Sequence, residues 1–252
     1  MTDRPWKLIA FGAIGGLIAH AFFLTAAPLE ALKTLFHETG HAISGWLFGY
    51  PAIPAFDFMF GGGLTHYGNF HAAIAFLVAA GFAYLGWRLR DHPTAVAVIC
   101  AIAVVWLIIV TKEWRRETVN ASAGVIFELL FAATFLYMAI ANVGWRRPEI
   151  ERPLAIVVAF FVQFDSWIFA LRLIRDRDFL EWYQQGKGGA LMNDLEIIAL
   201  NLKIYLGFDT TIQSVAKLLF VFSFVPMALA YWLAVRHERV EAAFERLLTP
   251  AS

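Results

Sequence analysis

Long uncharged runs, separated by short connections that contain charges, proline or glycine, dominate this 252-residue chain. A run of about 20 apolar residues forms a helix long enough to cross the roughly 30 Å hydrocarbon layer of a membrane. We therefore expect an all-α integral membrane protein with six to seven transmembrane helices in a single membrane-embedded domain, residues 1–252. The apolar segments are residues 8–27, 28–49, 69–87, 93–110, 121–144, 153–171 and 214–235.

The first segment has features that also occur in cleaved signal peptides. It follows Arg4 and Lys7, and Ala-His-Ala at 19–21 resembles a cleavage site. A signal peptide has an apolar core of only about 7–15 residues, whereas this run leads directly into the next apolar segment. We therefore interpret it as an uncleaved first span.

Residues 51–70 do not suit a helix, because they contain two prolines and a triple glycine. The alternating stretch FDFMF at 56–60 predicts a short strand before a glycine turn. We expect a short re-entrant loop or hairpin here, directly after the second apolar segment. An exposed edge strand in this place would suit an extended peptide, which it can hold through backbone hydrogen bonds.

Composition supports the membrane setting and excludes some partners. Hydrophobic residues make up 60% of the chain and charged residues 16%, against about 25% charged in soluble domains. The net charge is zero and no extended basic patch occurs, so we expect no nucleic-acid partner. The single cysteine, Cys100, excludes an intrachain disulfide and a cysteine-ligated zinc cluster.

The pentad HETGH at residues 37–41 carries the strongest chemical signal. On a helix, His37 and His41 lie one turn apart and project from the same face. Two imidazoles at this spacing can bind a zinc ion, and Glu38 is then placed to take a proton from a water molecule at the metal. Three ionisable groups at membrane depth are costly without such a role. Gly40 lets a neighbouring helix or a substrate approach closely.

Catalytic zinc needs a third protein ligand in addition to the two histidines. Asp194 is our leading candidate, since it lies in a segment that is otherwise apolar, where an unpaired charge is costly. Asn193 or Asp194 would also serve as the N-cap of a following helix. Asp165 and Glu128, each within an apolar segment, remain alternatives as ligands or as hydrogen-bonded struts between helices.

HETGH followed by AISG resembles the HExGH-Ala segment of the site-2 protease family of intramembrane zinc metalloproteases, in particular its smaller bacterial branch. GGGLT at 61–65 is similar to a glycine stretch of that branch, and GGALMND at 188–194 resembles the distant Asn/Asp segment that supplies its third zinc ligand. The three stretches lie between residues 30 and 215. The chain departs from the family pattern at Leu195, where the usual Asp-Gly pair is absent.

The resemblance implies a membrane zinc endopeptidase that hydrolyses a peptide bond in or near the bilayer. It implies Zn²⁺ as cofactor, held by His37, His41 and Asp194, and Glu38 as the catalytic base. It also implies substrate-binding roles for Asn193 and for the glycines Gly61, Gly62 and Gly63. The expected partners are a membrane protein or peptide substrate and the lipid bilayer, and the expected location is the bacterial inner membrane.

Two alternatives stay open. The chain is an enzyme, or it is a non-catalytic subunit that serves binding or assembly in a membrane complex and has a vestigial metal site. The departure at Leu195 favours the non-catalytic subunit. A prenyl-protein type of membrane protease shares HExxH but takes a glutamate as third ligand, so Glu128 in place of Asp194 would indicate that class.

Overall fold

The computed structural model describes residues 5–57, 62–186 and 192–248, the last five of these by their backbone only. Most of this part of the chain is α-helical. The helices are α1 (Pro5–Ala21), α2 (Phe23–Leu47), α3 (Ala72–Arg88), α4 (Pro93–Val110), α5 (Glu113–Ala141), α6 (Pro148–Arg175), α7 (Arg177–Gln184), α8 (Asp194–Leu206), α9 (Ile212–Phe222), α10 (Phe224–Ala234) and α11 (His237–Leu248). Two strands, β1 (Ala52–Phe56) and β2 (Gly63–Tyr67), lie between α2 and α3.

Several helices are long and apolar enough to cross a membrane. Within the described residues these are α4, α5, α6 and the continuous stretch formed by α9 and α10. The bent pair α1 and α2 would add a fifth span if the two helices are counted as one. The predicted limits of α4, residues 93–110, are confirmed, whereas α5 and α6 extend into the flanking charged residues.

The predicted boundary between the first two segments is wrong. The chain breaks at Phe22, where α1 and α2 are bent by 107°, and Pro28 lies inside α2. At the break the Thr25 hydroxyl oxygen lies 2.9 Å from both the Ala19 and the Phe22 carbonyl oxygens. The Thr25 side chain thus supplies a donor to the Ala19 carbonyl near the end of α1, where a helix lacks backbone partners, while the Phe22 carbonyl also accepts from the backbone nitrogens of Thr25 and Ala26.

The two strands form an antiparallel hairpin, with Ala52 opposite Tyr67 and Phe56 opposite Gly63. Of the predicted strand at 56–60, Phe56 is the last residue of β1, which begins four residues earlier, Asp57 is not in a strand, and residues 58–61 lie outside the described part. Pro54 sits within β1 because both strands of a two-stranded sheet are edge strands, where proline is accepted.

Two apolar clusters hold the helices together. The first joins α1, α2, α5, α6 and α10 around Ile156, Phe161 and Leu136. The second joins the end of α6 to α7, α8 and α9 around Leu173, Leu195 and Ala216. Helix α2 packs along α5 and also contacts both strands. This arrangement places HETGH between a long apolar helix and the hairpin.

Close packing of α1 on α6 depends on small residues. A β-carbon at Gly16 would lie 3.0 Å from the backbone nitrogen of Phe161 and 3.1 Å from the carbonyl carbon of Phe160, which cannot move aside as a side-chain end can. We expect Gly16→Leu to lower the free energy of unfolding by about 1–3 kcal/mol through overpacking, measured by thermal or denaturant unfolding in detergent. Gly86→Leu in α3 is the matched control, since no described atom lies within 4 Å of its β-carbon position. Equal losses at the two positions would contradict the packing explanation.

Candidate metal centre

The two histidines of HETGH present their Nε2 atoms to the same point. They lie one turn apart on α2, as their spacing predicts, and the two Nε2 atoms are 2.9 Å apart. His41 is buried, and His37 is about one-fifth exposed. Helix α2 therefore presents two nitrogen donors on one face.

Asp194 approaches these nitrogens from α8. Its Oδ2 lies 3.0 Å from Nε2 of His37 and 3.1 Å from Nε2 of His41. Asn193 is the N-cap residue of α8, and its backbone N–H donates to Glu196 Oε2 at 2.8 Å. Glu196 is thus turned back onto the helix end as a capping group, while Asp194, the first residue of the helix, is directed to the histidines.

The three donor atoms form a nearly equilateral triangle with sides of 2.9, 3.0 and 3.1 Å. A tetrahedral zinc ion with bonds of about 2.0–2.1 Å separates its ligand atoms by about 3.3 Å. These three atoms would hold such an ion, and three protein ligands leave one position for water. Two imidazoles and one carboxylate fit a metal ion of this kind, and these residues form a cluster that could hold one.

Burial raises the pKa of Asp194, but the hydrogen bonds and positive charges of protonated His37 and His41 together outweigh burial and hold that pKa below the usual range of an aspartate. The side chain is therefore a carboxylate, which is the form that binds a metal ion.

A glycine of α5 leaves the space that an ion would need. A β-carbon at Gly124 would lie 2.5 Å from His37 Nε2 and 2.6 Å from His41 Nε2. Gly40 plays a related part on α2, because a β-carbon there would overlap the backbone oxygen of Ala123. The close approach of α2 and α5 thus depends on Gly40, and the open volume beside the nitrogens depends on Gly124.

Glu38 is buried beside the first histidine and is held by β2. The hydroxyl of Thr65 donates to Glu38 Oε2 at 2.6 Å and lies 3.1 Å from the Glu38 carbonyl oxygen. A β-carbon at Gly63 would overlap the Glu38 carboxylate. The hairpin therefore fixes this carboxylate, with Gly63 providing room and Thr65 a donor.

The two other carboxylates considered as third ligand do not contact Nε2. Glu128 Oε1 lies 2.6 Å from Nδ1 of His37, on the other side of the imidazole ring. Asp165 Oδ2 lies 2.5 Å from the Lys33 ammonium. Nδ1 of His41 lies 2.8 Å from the Asn120 carbonyl oxygen. Of the three acids, Asp194 is therefore the one that contacts both Nε2 atoms.

A cavity of about 910 Å³ opens onto the three donors and Glu38. Of the residues predicted to bind substrate, Gly62, Gly63 and Asn193 line it, and Gly61 lies outside the described part. The Asn193 side-chain nitrogen donates to the Tyr183 carbonyl oxygen. Tyr67 also lines the cavity, and its hydroxyl donates to Asn120 Oδ1 at 2.9 Å. Burial raises the pKa of Tyr67, so the hydroxyl stays a neutral donor.

The chain has no significant match to any family model, curated protein or solved structure.

Proposed function

We propose that the protein is a zinc-dependent membrane endopeptidase of the site-2 type, which hydrolyses a peptide bond in or near the bilayer. The observation that carries the proposal is the meeting of His37, His41 and Asp194 within 3.1 Å of one another. The buried Glu38 lines the same cavity. A metal-assisted hydrolase requires two histidine ligands, a carboxylate as the third ligand, and a separate glutamate as the base.

A zinc ion in this site would polarise the scissile carbonyl and lower the pKa of a coordinated water molecule to about 7. Glu38 then accepts the proton of the attacking water and passes it to the nitrogen of the leaving amine. Thr65 holds the Glu38 carboxylate in one orientation through its hydroxyl, and Gly63 allows β2 to lie directly against that carboxylate. Proton transfer needs such fixed geometry between base and substrate.

The hairpin supports a binding mode for an extended substrate. A peptide bond inside a helix is shielded by its neighbours, so a substrate segment must unwind before it is cut. Leu64 and Thr65 of β2 line the cavity next to Glu38. We propose that β2 holds the unwound segment by strand addition, in which backbone hydrogen bonds supply affinity without demanding a particular sequence.

The same proposal includes a multi-pass topology of six to seven spans in the bacterial inner membrane, with a membrane protein or membrane-anchored peptide as substrate. It is supported by the four helices, or five with the bent pair, that are long and apolar enough to span. Helices α5 and α6 of this set contribute Gly124, Glu128 and Asp165 to the surroundings of the site.

The assignment of Asp194 as third ligand gives a direct test. We expect purified protein to bind about one zinc ion per chain. Asp194→Ala should weaken zinc binding by more than the roughly 10- to 100-fold cost of losing an outer-shell partner. The measurement is zinc content by elemental analysis together with competition against a chromophoric chelator. Asp209→Ala is the control, since this carboxylate is almost fully exposed. Wild-type zinc affinity in Asp194→Ala would refute the ligand set.

A further inference from the structure

One face of α5 is organised around the two histidines. Asn120, Gly124 and Glu128 recur at intervals of four residues, so they lie on the same side of the helix. Asn120 contacts His41, Gly124 lies beside both Nε2 atoms, and Glu128 contacts His37. Helix α2 carries the two imidazoles, and this stripe of α5 determines how each ring is turned.

The contacts at the Nδ1 atoms decide which nitrogen carries the proton. The Asn120 carbonyl oxygen can only accept, so Nδ1 of His41 donates to it at 2.8 Å. Glu128, as a carboxylate, likewise accepts from Nδ1 of His37 at 2.6 Å. Loss of the Nε2 protons to a metal ion would leave each imidazole neutral, with its proton on Nδ1 and its lone pair on Nε2, and both Nε2 atoms face Asp194.

Glu128 differs from Asn120 because it carries a charge in a buried place. Only 4% of the residue is exposed, and a buried carboxylate without a partner is costly. The Lys33 ammonium lies 3.7 Å from Glu128 Oε2 and 2.5 Å from Asp165 Oδ2. Lys33 is one turn before His37 on α2, so the charged chain Asp165, Lys33, Glu128 connects α6, α2 and α5 and ends at the imidazole.

We propose that Glu128 is a positioning residue for His37. It holds the imidazole with Nε2 directed at the metal and makes that nitrogen a stronger electron-pair donor. Lys33, anchored by Asp165, supplies the positive charge that compensates the charge of Glu128. A carboxylate that accepts from a ligating histidine fixes the orientation of the ring and raises its basicity. Glu128 is not itself a ligand, because its contact is with the ring nitrogen that faces away from Asp194. The inference rests on the proposed metal site.

The test compares zinc affinity in full-length protein in detergent, by competition with a chromophoric chelator. Glu128→Gln keeps the shape of the side chain and removes its charge, and we expect zinc affinity to fall about 10- to 100-fold. Lys33→Met keeps the apolar stem and should also lower zinc affinity, but by a smaller factor. Glu30→Gln, an exposed carboxylate of α2, is the matched control and should bind as the wild type does.

The double variant Lys33→Met with Glu128→Gln shows whether the two residues affect zinc affinity together or independently. If Lys33 acts through Glu128, its substitution adds little once Glu128 is neutral, and the two losses are not additive. Additive losses would overturn the proposed role of Lys33. The absorption spectrum of the cobalt(II)-loaded protein should keep its band positions in Glu128→Gln, because the ligand atoms are unchanged. A changed coordination spectrum would show that Glu128 is a ligand and overturn the positioning role.

Thermal unfolding of the metal-free proteins distinguishes positioning from a purely structural role. We expect metal-free Glu128→Gln to unfold close to the wild-type temperature while its zinc affinity falls. A large loss of metal-free stability with zinc affinity retained in the folded fraction would overturn the proposal. Wild-type protein that binds no zinc would refute the proposed function together with this inference. Zinc binding that is equal in wild type and Glu128→Gln would refute this inference alone.

Discussion

Glu38→Gln should abolish most of the peptidase activity while zinc remains bound. Glutamine preserves the shape of the side chain and can still accept the Thr65 hydroxyl hydrogen bond to Glu38, but it cannot take a proton from the attacking water. Loss of a general base costs about 10²- to 10⁴-fold in rate. The measurement is cleavage of a membrane-anchored reporter by both proteins in the same lipid or detergent, with zinc content determined on the same samples.

The exposed carboxylate Glu30, on the same helix, supplies the control Glu30→Gln, which should cleave at the wild-type rate. Equal activity of wild type and Glu38→Gln would exclude Glu38 as the base. If neither protein cleaves any member of a broad substrate panel, while both are folded and bind zinc, the binding or assembly subunit becomes the better proposal. Zinc content therefore separates a failed metal assignment from a failed enzyme assignment.

The spacing of residues along the chain correctly predicted those features that depend on one helix alone. The spacing of His37 and His41 places both on one face of any helix, and the structure shows them so. The limits of α4 were also predictable, because Pro93 begins it and no charge interrupts it. Charged residues misled the prediction for α5, which begins at Glu113 within a stretch interpreted as a connection. A helix can continue beyond the apolar layer with charged residues in its first turn.

The surroundings of the candidate metal site were only partly predictable. The positions of Asp194, Asp165 and Glu128 within apolar segments indicated that these residues matter, since an ionisable group is costly there. Their division into a metal-facing acid and two acids farther out depends on which ring nitrogen each reaches, and hence on how α5, α6 and α8 surround α2. The spacing of Asn120, Gly124 and Glu128 by four residues was visible in the sequence. Its meaning required knowing that this face of α5 lies against HETGH.

Gly124→Ala should disable the metal centre without unfolding the protein. A β-carbon at this position would lie 2.5 Å and 2.6 Å from the two Nε2 atoms, nearly as close as the roughly 2.0–2.1 Å of a zinc–nitrogen bond. The methyl group would therefore take the space that the ion needs or push the imidazoles aside. Because a displacement of about 1 Å can cost 10²-fold in rate, we expect cleavage to fall at least about 10²-fold, together with a clear loss of zinc affinity.

Gly124→Ala should not destabilise helix α5, so a loss of zinc affinity can be separated from a loss of folding. Alanine favours a helix over glycine by about 0.8–1.0 kcal/mol, so α5 itself gains helix propensity, and the metal-free protein should keep its helical content by circular dichroism. Gly81→Ala in α3 makes the same change where no described atom lies within 4 Å of the new methyl group, and it should bind zinc and cleave as the wild type does. Wild-type zinc affinity in Gly124→Ala would mean that the two Nε2 atoms do not face α5 when the ion is bound.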